Sequence, residues 1–354
     1  MDICFVNDTF VEGRGVDTVI FEIARRLSKK HNVYVFCSKD YSDLKDKVEK
    51  FGVEVITEDF GKLFTGKLSD FSFPLKLLSI RKFFKEEAGR FDIINLHHAT
   101  MSPAFIGIKN VVATYHGSPP AYGKTKYARK AINSFSRFFM RDFEGVISIS
   151  NYLKNELLKY GIKEEKIAVV PNAVDDCFFV ERTEDKDFML FVGRLEKHKR
   201  VEMLIRLSKD IDFKLVVVGT GPEMERLKKY AKRISANVEF LGRVPRETLI
   251  RLYASCSFFV SASEWEGFGL IFLEANACGK PVIGFNLCAM PERIIHGVNG
   301  FLANDYEEFK KYALLLKESR GCLSREKIID VAKKYSWGNT AKSYEKLFRK
   351  IIEK

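Results

Sequence analysis

The chain has 354 residues, 46% of them hydrophobic and 30% charged, with 59 lysines and arginines against 47 acidic residues. That mix excludes a disordered or fibrous chain, and at roughly 150 residues per domain the length predicts two domains. The net charge of +12 is spread evenly, 27 basic against 21 acidic residues in 1–171 and 32 against 26 in 172–354, so no basic tail is present. A diffuse excess of this kind attracts nucleotides, phospholipid surfaces or nucleic acid alike, and it equally suits a lysine-rich surface that keeps a protein in solution.

No run of about 18 apolar residues occurs, so no membrane-spanning helix is expected. The opening MDICFVNDTFVEG has an acid at position 2 and no basic region before an apolar stretch, so a secretory signal is not expected either. Cys4, Cys37, Cys177, Cys256, Cys278, Cys288 and Cys322 are scattered, with no C-x-x-C pair. They predict free thiols in a reducing cytoplasm.

In chain order, DICFVN (2–7) reads as a buried strand, and apolar residues at 16, 19, 20, 23, 24 and 27 mark a helix over 16–30. Further strands are predicted at 32–38, 53–57, 91–98, 111–117, 144–150 and 167–172. Residues 172–187 are polar and without period, and read as a linker. Strand and helix then alternate again. Strands are predicted at 188–193, 214–220, 238–242, 257–263 and 280–285. Helices are predicted near 199–210, 222–235, 246–255, 269–278, 305–319 and 323–334. The expected fold class is α/β, two doubly wound Rossmann-like halves facing across a cleft, with ligands beyond the carboxyl ends of the strands.

The strongest chemical signal is EWEGFGLIFLEANACGKPVI at 264–283. A strand ends at Ser263, Gly267 and Gly269 allow close backbone approach, and a helix begins near Phe268 to Leu270. The first amides of that helix lack internal partners and form an anion site. Glu266 precedes the helix and Glu274 lies inside it. An i, i+8 pair on a single helix would be offset by roughly 80° and about 12 Å apart. Two such carboxylates can grip two parts of an elongated ligand through vicinal hydroxyls, as on a sugar or ribose. The blander reading of either glutamate is a solvated charge, and the surrounding glycines weigh against it.

FVGRLEKHKR (191–200) is the second signal. A strand ends in Gly193, and Arg194 and Lys199 flank the turn into the next helix, a pair of cations suited to a diphosphate. VVGTGPE (217–223) is a strand, a glycine turn and a helix start. Gly15 stands between the first strand and first helix, where a phosphate could approach. VEGRGVD is not the full dinucleotide fingerprint, and no G-x-x-x-x-G-K-[ST] occurs, so neither a Rossmann dehydrogenase nor a P-loop enzyme is supported.

Taken together, these segments resemble glycosyltransferase family four, retaining enzymes of the GT-B fold. The resemblance spans nearly the whole chain: the Gly15 loop, TYHG (114–117), residues 147–175, VGRLEKHK (192–199), VVGTGPE, FLGRV, and EGFGLIFLEANACGKPVI with its two glutamates. YSWGNTAKSYEKLF (335–348) is similar to the family's final helix, which crosses back to the first domain, so 1–171 with 337–354 and 188–336 are the expected domains. The resemblance implies that Arg194 and Lys199 hold the donor diphosphate and stabilise the leaving group. It implies that Glu274 binds the ribose and Glu266 the sugar hydroxyls. The amides of Phe268, Gly269 and Leu270 would lie nearby, and the base against Arg243 and Val244. His116 would face the reacting sugar and donate to one of its oxygens, and His97 and His98 would be structural. No metal or other cofactor is expected. Departures from the family pattern are Cys288 and Ala289 where a Gly-Gly turn is usual, Ala173 in PNAVD, and a Gly15 loop lean in glycine.

The acceptor side falls in the first half. KTKYARKAINSFSRFFMRDF (124–143) carries six basic residues and one acid, interleaved with aromatics, and 62–85 is similar. Such segments suit an anionic membrane surface, or else pack their aromatics inward. The first alternative gives a lipid-linked or membrane-surface hydroxyl acceptor at the inner face of the membrane. No signature supports a nucleic-acid partner. The expected activity is transfer of a sugar from a UDP- or GDP-sugar with retained configuration. The rivals are a sugar-nucleotide epimerase of the same build and a nucleotide-sugar scaffold with a dead site.

Overall fold

The computed structural model describes residues 1–60, 72–87, 89–120, 122, 126–181, 183–319 and 321–353. Its first sheet has seven parallel strands, β1 (Asp2–Val6), β2 (Asn32–Ser38), β3 (Val53–Glu58), β4 (Ile93–Leu96), β5 (Val111–Tyr115), β6 (Gly145–Ser148) and β7 (Ile167–Val169), in the order β3-β2-β1-β4-β5-β6-β7. Its second sheet has six, β8 (Phe188–Val192), β9 (Lys214–Val218), β10 (Val238–Gly242), β11 (Phe258–Ser261), β12 (Val282–Phe285) and β13 (Gly300–Ala303), in the order β10-β9-β8-β11-β12-β13. Helices cover both faces of a parallel sheet, so its strands read as continuous apolar runs. DICFV and FMLFV are such runs. Twelve strands stand where the apolar runs place them. The sequence reading missed β13, which is short and opens on a glycine; a Cβ on Gly300 would overlap Val282 O of the neighbouring strand.

Strand order reverses between β1 and β4 in the first sheet and between β8 and β11 in the second. A crevice opens beyond the carboxyl ends at such points, which is where open α/β sheets bind ligands. Apart from Glu274, which lies inside a helix, each candidate site residue follows the carboxyl end of a strand or starts the helix that comes after it.

The chain forms two compact units, Met1–Asn172 with Trp337–Lys354, and Ala173–Ser336. The last helix, Trp337–Ile352, belongs to the first unit. It packs against the helix Gly15–Leu27, sets Phe348 against Phe5 (ring centroids 6.5 Å) and brings the Tyr344 hydroxyl within 3.4 Å of Thr114 Oγ1. The core of this unit is rich in phenylalanine, with Phe36 packed on Phe60, Phe83 and Phe84.

Residues 172–187, expected as a linker, instead fold largely onto the second unit. Asp175 pairs with Arg246 at 2.9 Å, Thr183 Oγ1 donates to Ala254 O, and Asp185 forms an ion pair with buried Lys280. Ala173, Val174 and Phe178 are buried as well, Phe178 edge-on to Tyr253 at 5.7 Å, so the segment docks through polar and apolar side chains that follow no single period. Part of the basic segments at 62–85 and 124–143 lies outside the described residues. No helix among the described residues is long and apolar enough to cross a membrane.

Candidate functional site

In the second unit the loops after β8, β9 and β10 lie edge to edge. Gly193 N donates to Val218 O (3.0 Å), Gly219 N to Gly242 O (2.7 Å) and Leu195 N to Thr220 O (2.9 Å). A Cβ on Gly219 would overlap Gly193 O, and one on Gly221 would overlap Leu195 O. The glycines of VVGTGPE therefore let one loop lie directly on the VGRL loop, a packing role that their sequence alone does not separate from ligand contact.

That support fixes the turn carrying the two cations. Arg194 is 68% exposed at its side chain, and its Nε lies 2.5 Å from Glu196 Oε1. The short 3-10 turn Lys197–Lys199 follows. The loop after β11 binds that turn, because Glu264 N donates to His198 O (2.9 Å). Lys199 then reaches Glu266, Nζ to Oε1 2.5 Å, with only 14% and 11% of the two side chains exposed. The sequence places these residues 67 positions apart, and the two strands at the switch point bring them together. His198, next to Lys199, is buried with its Nδ1 3.4 Å from Glu196 Oε2, and burial together with the Lys199 charge lowers its pKa.

Gly269 caps the helix Leu270–Ala277 with φ 85° and ψ 53°, left-handed backbone that suits glycine, and a Cβ there would come within 2.7 Å of the Phe272 ring. This conformation lets the chain turn from the loop carrying Glu266 into the helix; Phe272 N donates back to Gly269 O at 3.1 Å, and the amides before it begin the helix without partners inside it. The Phe268 side chain itself is buried. The Arg293 guanidinium stacks 4.0 Å from its ring centroid, and Arg293 also donates to Tyr335 OH at 2.5 Å.

Glu274, one turn into the helix, accepts from Tyr253 OH at 2.8 Å. Burial raises its pKa, opposed by the Tyr253 hydrogen bond and the nearby Arg246 charge. Sequence reasoning missed Tyr253. The one signal for it was a tyrosine on a core-facing helix, whose hydroxyl must find a partner. Arg243 and Val244 follow the edge strand β10, Arg243 exposed and Val244 half-buried.

Cys288, where the resemblance leads one to expect glycine, has φ 55°. It keeps the left-handed turn despite its side chain. Its Sγ faces Glu264 O at 3.6 Å, and Ala289 N donates to Glu266 O at 3.3 Å. The turn thus rests directly on the loop that carries Glu266. Ala173 is buried and does not take the left-handed conformation.

The remaining candidates lie in the first unit. Gly15 is the first residue of its helix, exposed, and nothing lies within 4 Å of where its Cβ would stand. Its neighbour Asp17 is buried and accepts from Val11 N, Thr9 Oγ1 and Asn7 Nδ2, which ties down the loop after β1. Desolvation raises Asp17 to about 6. His116 follows β5. Its Nε2 lies 2.9 Å from Nδ1 of His97, which follows β4, and His97 Nε2 lies 2.7 Å from Asn95 Oδ1. Burial and the partner ring hold His97 well below the ordinary imidazole value, and burial with nearby His98 pushes His116 down to about 3. His97, read from the sequence as structural, is the direct partner of the candidate His116.

Comparisons with known proteins identify the family and the fold. The family model described as Glycosyltransferase Family 4 matches residues 13–177, and the one described as Glycosyl transferases group 1 matches 175–335. An uncharacterized glycosyltransferase of Methanocaldococcus jannaschii is 29% identical over 81% of this chain and 83% of its own length. The N-acetyl-alpha-D-glucosaminyl L-malate synthase of Bacillus anthracis is 27% identical over 69% and 70%. The structure of Anabaena HepE in complex with UDP and glucose superposes with a TM-score of 0.78, covering 99% of both chains at 18% identity. The two family models meet near residue 175 and together match residues 13–335, which hold every strand but β1: the chain belongs to glycosyltransferase family four and has the GT-B fold.

Proposed function

We propose that the chain transfers a sugar from a nucleotide diphosphate sugar to a hydroxyl acceptor with retained configuration. The Lys199–Glu266 pair carries the reading: a largely buried cation and carboxylate joined at a switch point, beside the open amides of the helix Leu270–Ala277. In this reading Arg194 and Lys199 meet the charge that develops on the departing diphosphate, so no resident metal or other cofactor is required. Glu266 and Glu274 accept from sugar and ribose hydroxyls, and the base rests against Arg243 and Val244. The acceptor attacks from the face the leaving group departs, and the departing phosphate oxygen takes its proton. The presence of UDP and glucose in the Anabaena neighbour supports the donor class. Arg194, Lys199, Glu266 and Glu274 are all present and each keeps a polar partner, which favours an enzyme over a scaffold with a decayed site.

The acceptor is proposed to lie at an anionic membrane surface. Leu75 and Leu78 on the helix Phe73–Glu86, and Tyr127, Phe135 and Phe138 on the helix Lys126–Phe139, are exposed. Both helices pack on the segment Ala99–Phe105. Aromatic and leucine side chains on basic helices match an anionic headgroup layer. Absence of co-sedimentation with anionic vesicles at low salt would remove this part.

A thermal-shift panel of UDP, GDP, ADP and their common sugar conjugates tests the donor. Ligand at about 100 times its dissociation constant adds roughly 2.7 kcal/mol, a shift of a few degrees. A shift with one base, lost in Glu274→Ala, is the expected result. No shift with any nucleotide contradicts the reading, and donor isomerisation without acceptor would point to an epimerase.

A further inference from the structure

The function proposed above uses His116 alone, yet the structure joins it to a chain of buried groups whose hydrogen positions follow from chemistry. Val112 O can only accept, so the Asn95 atom 3.0 Å from it is Nδ2, which also reaches Thr114 Oγ1 at 3.0 Å. The amide is thereby oriented with Oδ1 toward His97 Nε2. Oδ1 has no hydrogen to give, so Nε2 of His97 carries one. Nδ1 of a neutral His97 is then a bare lone pair, and it faces His116 Nε2 at 2.9 Å. The hydrogen between the rings must come from His116. A neutral His116 is left with a bare Nδ1, which has no partner among the described residues.

We infer that Asn95 and His97 are positioning residues that lock His116 in its Nε2–H tautomer, so that His116 offers Nδ1 as an acceptor to a hydroxyl of the bound sugar. This rests on the sugar-transfer reading above. It reverses the expectation that His116 donates to a sugar oxygen. Neutral rings are required, and burial keeps both histidines uncharged near neutral pH; the titratable groups that act on them are His116 on His97 and His98 on His116, with His98 3.8 Å from Asp8. The Phe5 ring, edge-on to His97 at 5.7 Å, and the Tyr344 hydroxyl beyond Thr114 close the other sides.

The test reads the tautomer by two-bond proton–nitrogen NMR of the full chain, with signals assigned through His97→Gln and His116→Gln. Protonated Nε2 and unprotonated Nδ1 on both rings are expected. A proton on His116 Nδ1 overturns the proposal whatever the enzyme transfers. Asn95→Leu should leave His116 a mixture of tautomers. Asn95→Asp serves where Leu does not fold: a carboxylate against Nε2 raises the His97 pKa. The charged His97 then gives its Nδ1 hydrogen to His116 Nε2, so His116 becomes Nδ1–H on acidification through that pKa, while the native chain keeps its tautomer. An unchanged His116 in Asn95→Asp would contradict the relay. With UDP-glucose added, a move of the His116 Nδ1 signal is expected. Donor binding without such a move overturns the hydroxyl contact alone, and failure of every donor to bind overturns the sugar-transfer reading while the free-protein spectrum still judges the lock.

Discussion

The carboxyl ends of the two sheets are built differently. At the second, charge meets charge: Arg194 with Glu196, Lys199 with Glu266, Arg246 with Asp175. At the first, neutral polar groups are threaded into one chain that runs from buried Asn95 and His97 to half-buried His116. Ion pairs prepare a surface to receive a diphosphate and to follow its changing charge. A neutral chain instead fixes hydrogen positions, which suits the recognition of hydroxyls.

The contrast can be broken by substitution. The largest effect is expected for Arg194→Ala combined with Lys199→Ala, which should abolish turnover measured as nucleotide release; full activity would refute the roles given to the cations. Glu266→Ala leaves Lys199 buried without its partner, which should cost about 3–5 kcal/mol in denaturant unfolding. Glu266→Gln keeps an acceptor and should lose less.

At the first sheet the sign of the pH dependence is the test. Both imidazoles titrate below the ordinary 6.5 when folded, His116 at about 3. The unfolded chain gains protons as pH falls through 6.5, and the folded chain does not. Their contribution is therefore full above the ordinary imidazole value and declines below it, by about 1.4 kcal/mol per pH unit for each ring. His97→Gln with His116→Gln should remove that slope from the stability curve, and a persisting slope would show that other groups produce it. Gly219→Ala should cost about 1–3 kcal/mol, because the loop after β8 must shift. Cys288→Gly is expected to gain about 1 kcal/mol by relieving left-handed backbone.

The same contrast explains what is legible in the sequence. The charged residues Arg194, Lys199, Glu266 and Glu274 lie in two nearly continuous stretches, 191–200 and 264–283, and so stand out along the chain, whereas Arg243 and Val244 are reached only through the family resemblance. Strands buried on both faces are continuous apolar runs, so the two sheets are legible too. The histidine chain is not, because Asn95 meets Val112 only through the register of β4 on β5. Spacing along the chain carries no trace of that pairing. Tyr253 and Arg293 are hidden for a related reason: each supports a motif residue from another element.

The central claim, that the second unit holds a nucleotide diphosphate through its cations, is tested most directly by calorimetry on Arg194→Ala. This side chain is 68% exposed, so its removal leaves the core intact. The account predicts that affinity for the nucleoside diphosphate favoured by the native chain falls roughly 10- to 150-fold, the equivalent of about 1.5–3 kcal/mol for a charge-assisted hydrogen bond, while the corresponding nucleoside binds as before. Equal affinity for the diphosphate in both proteins would contradict it.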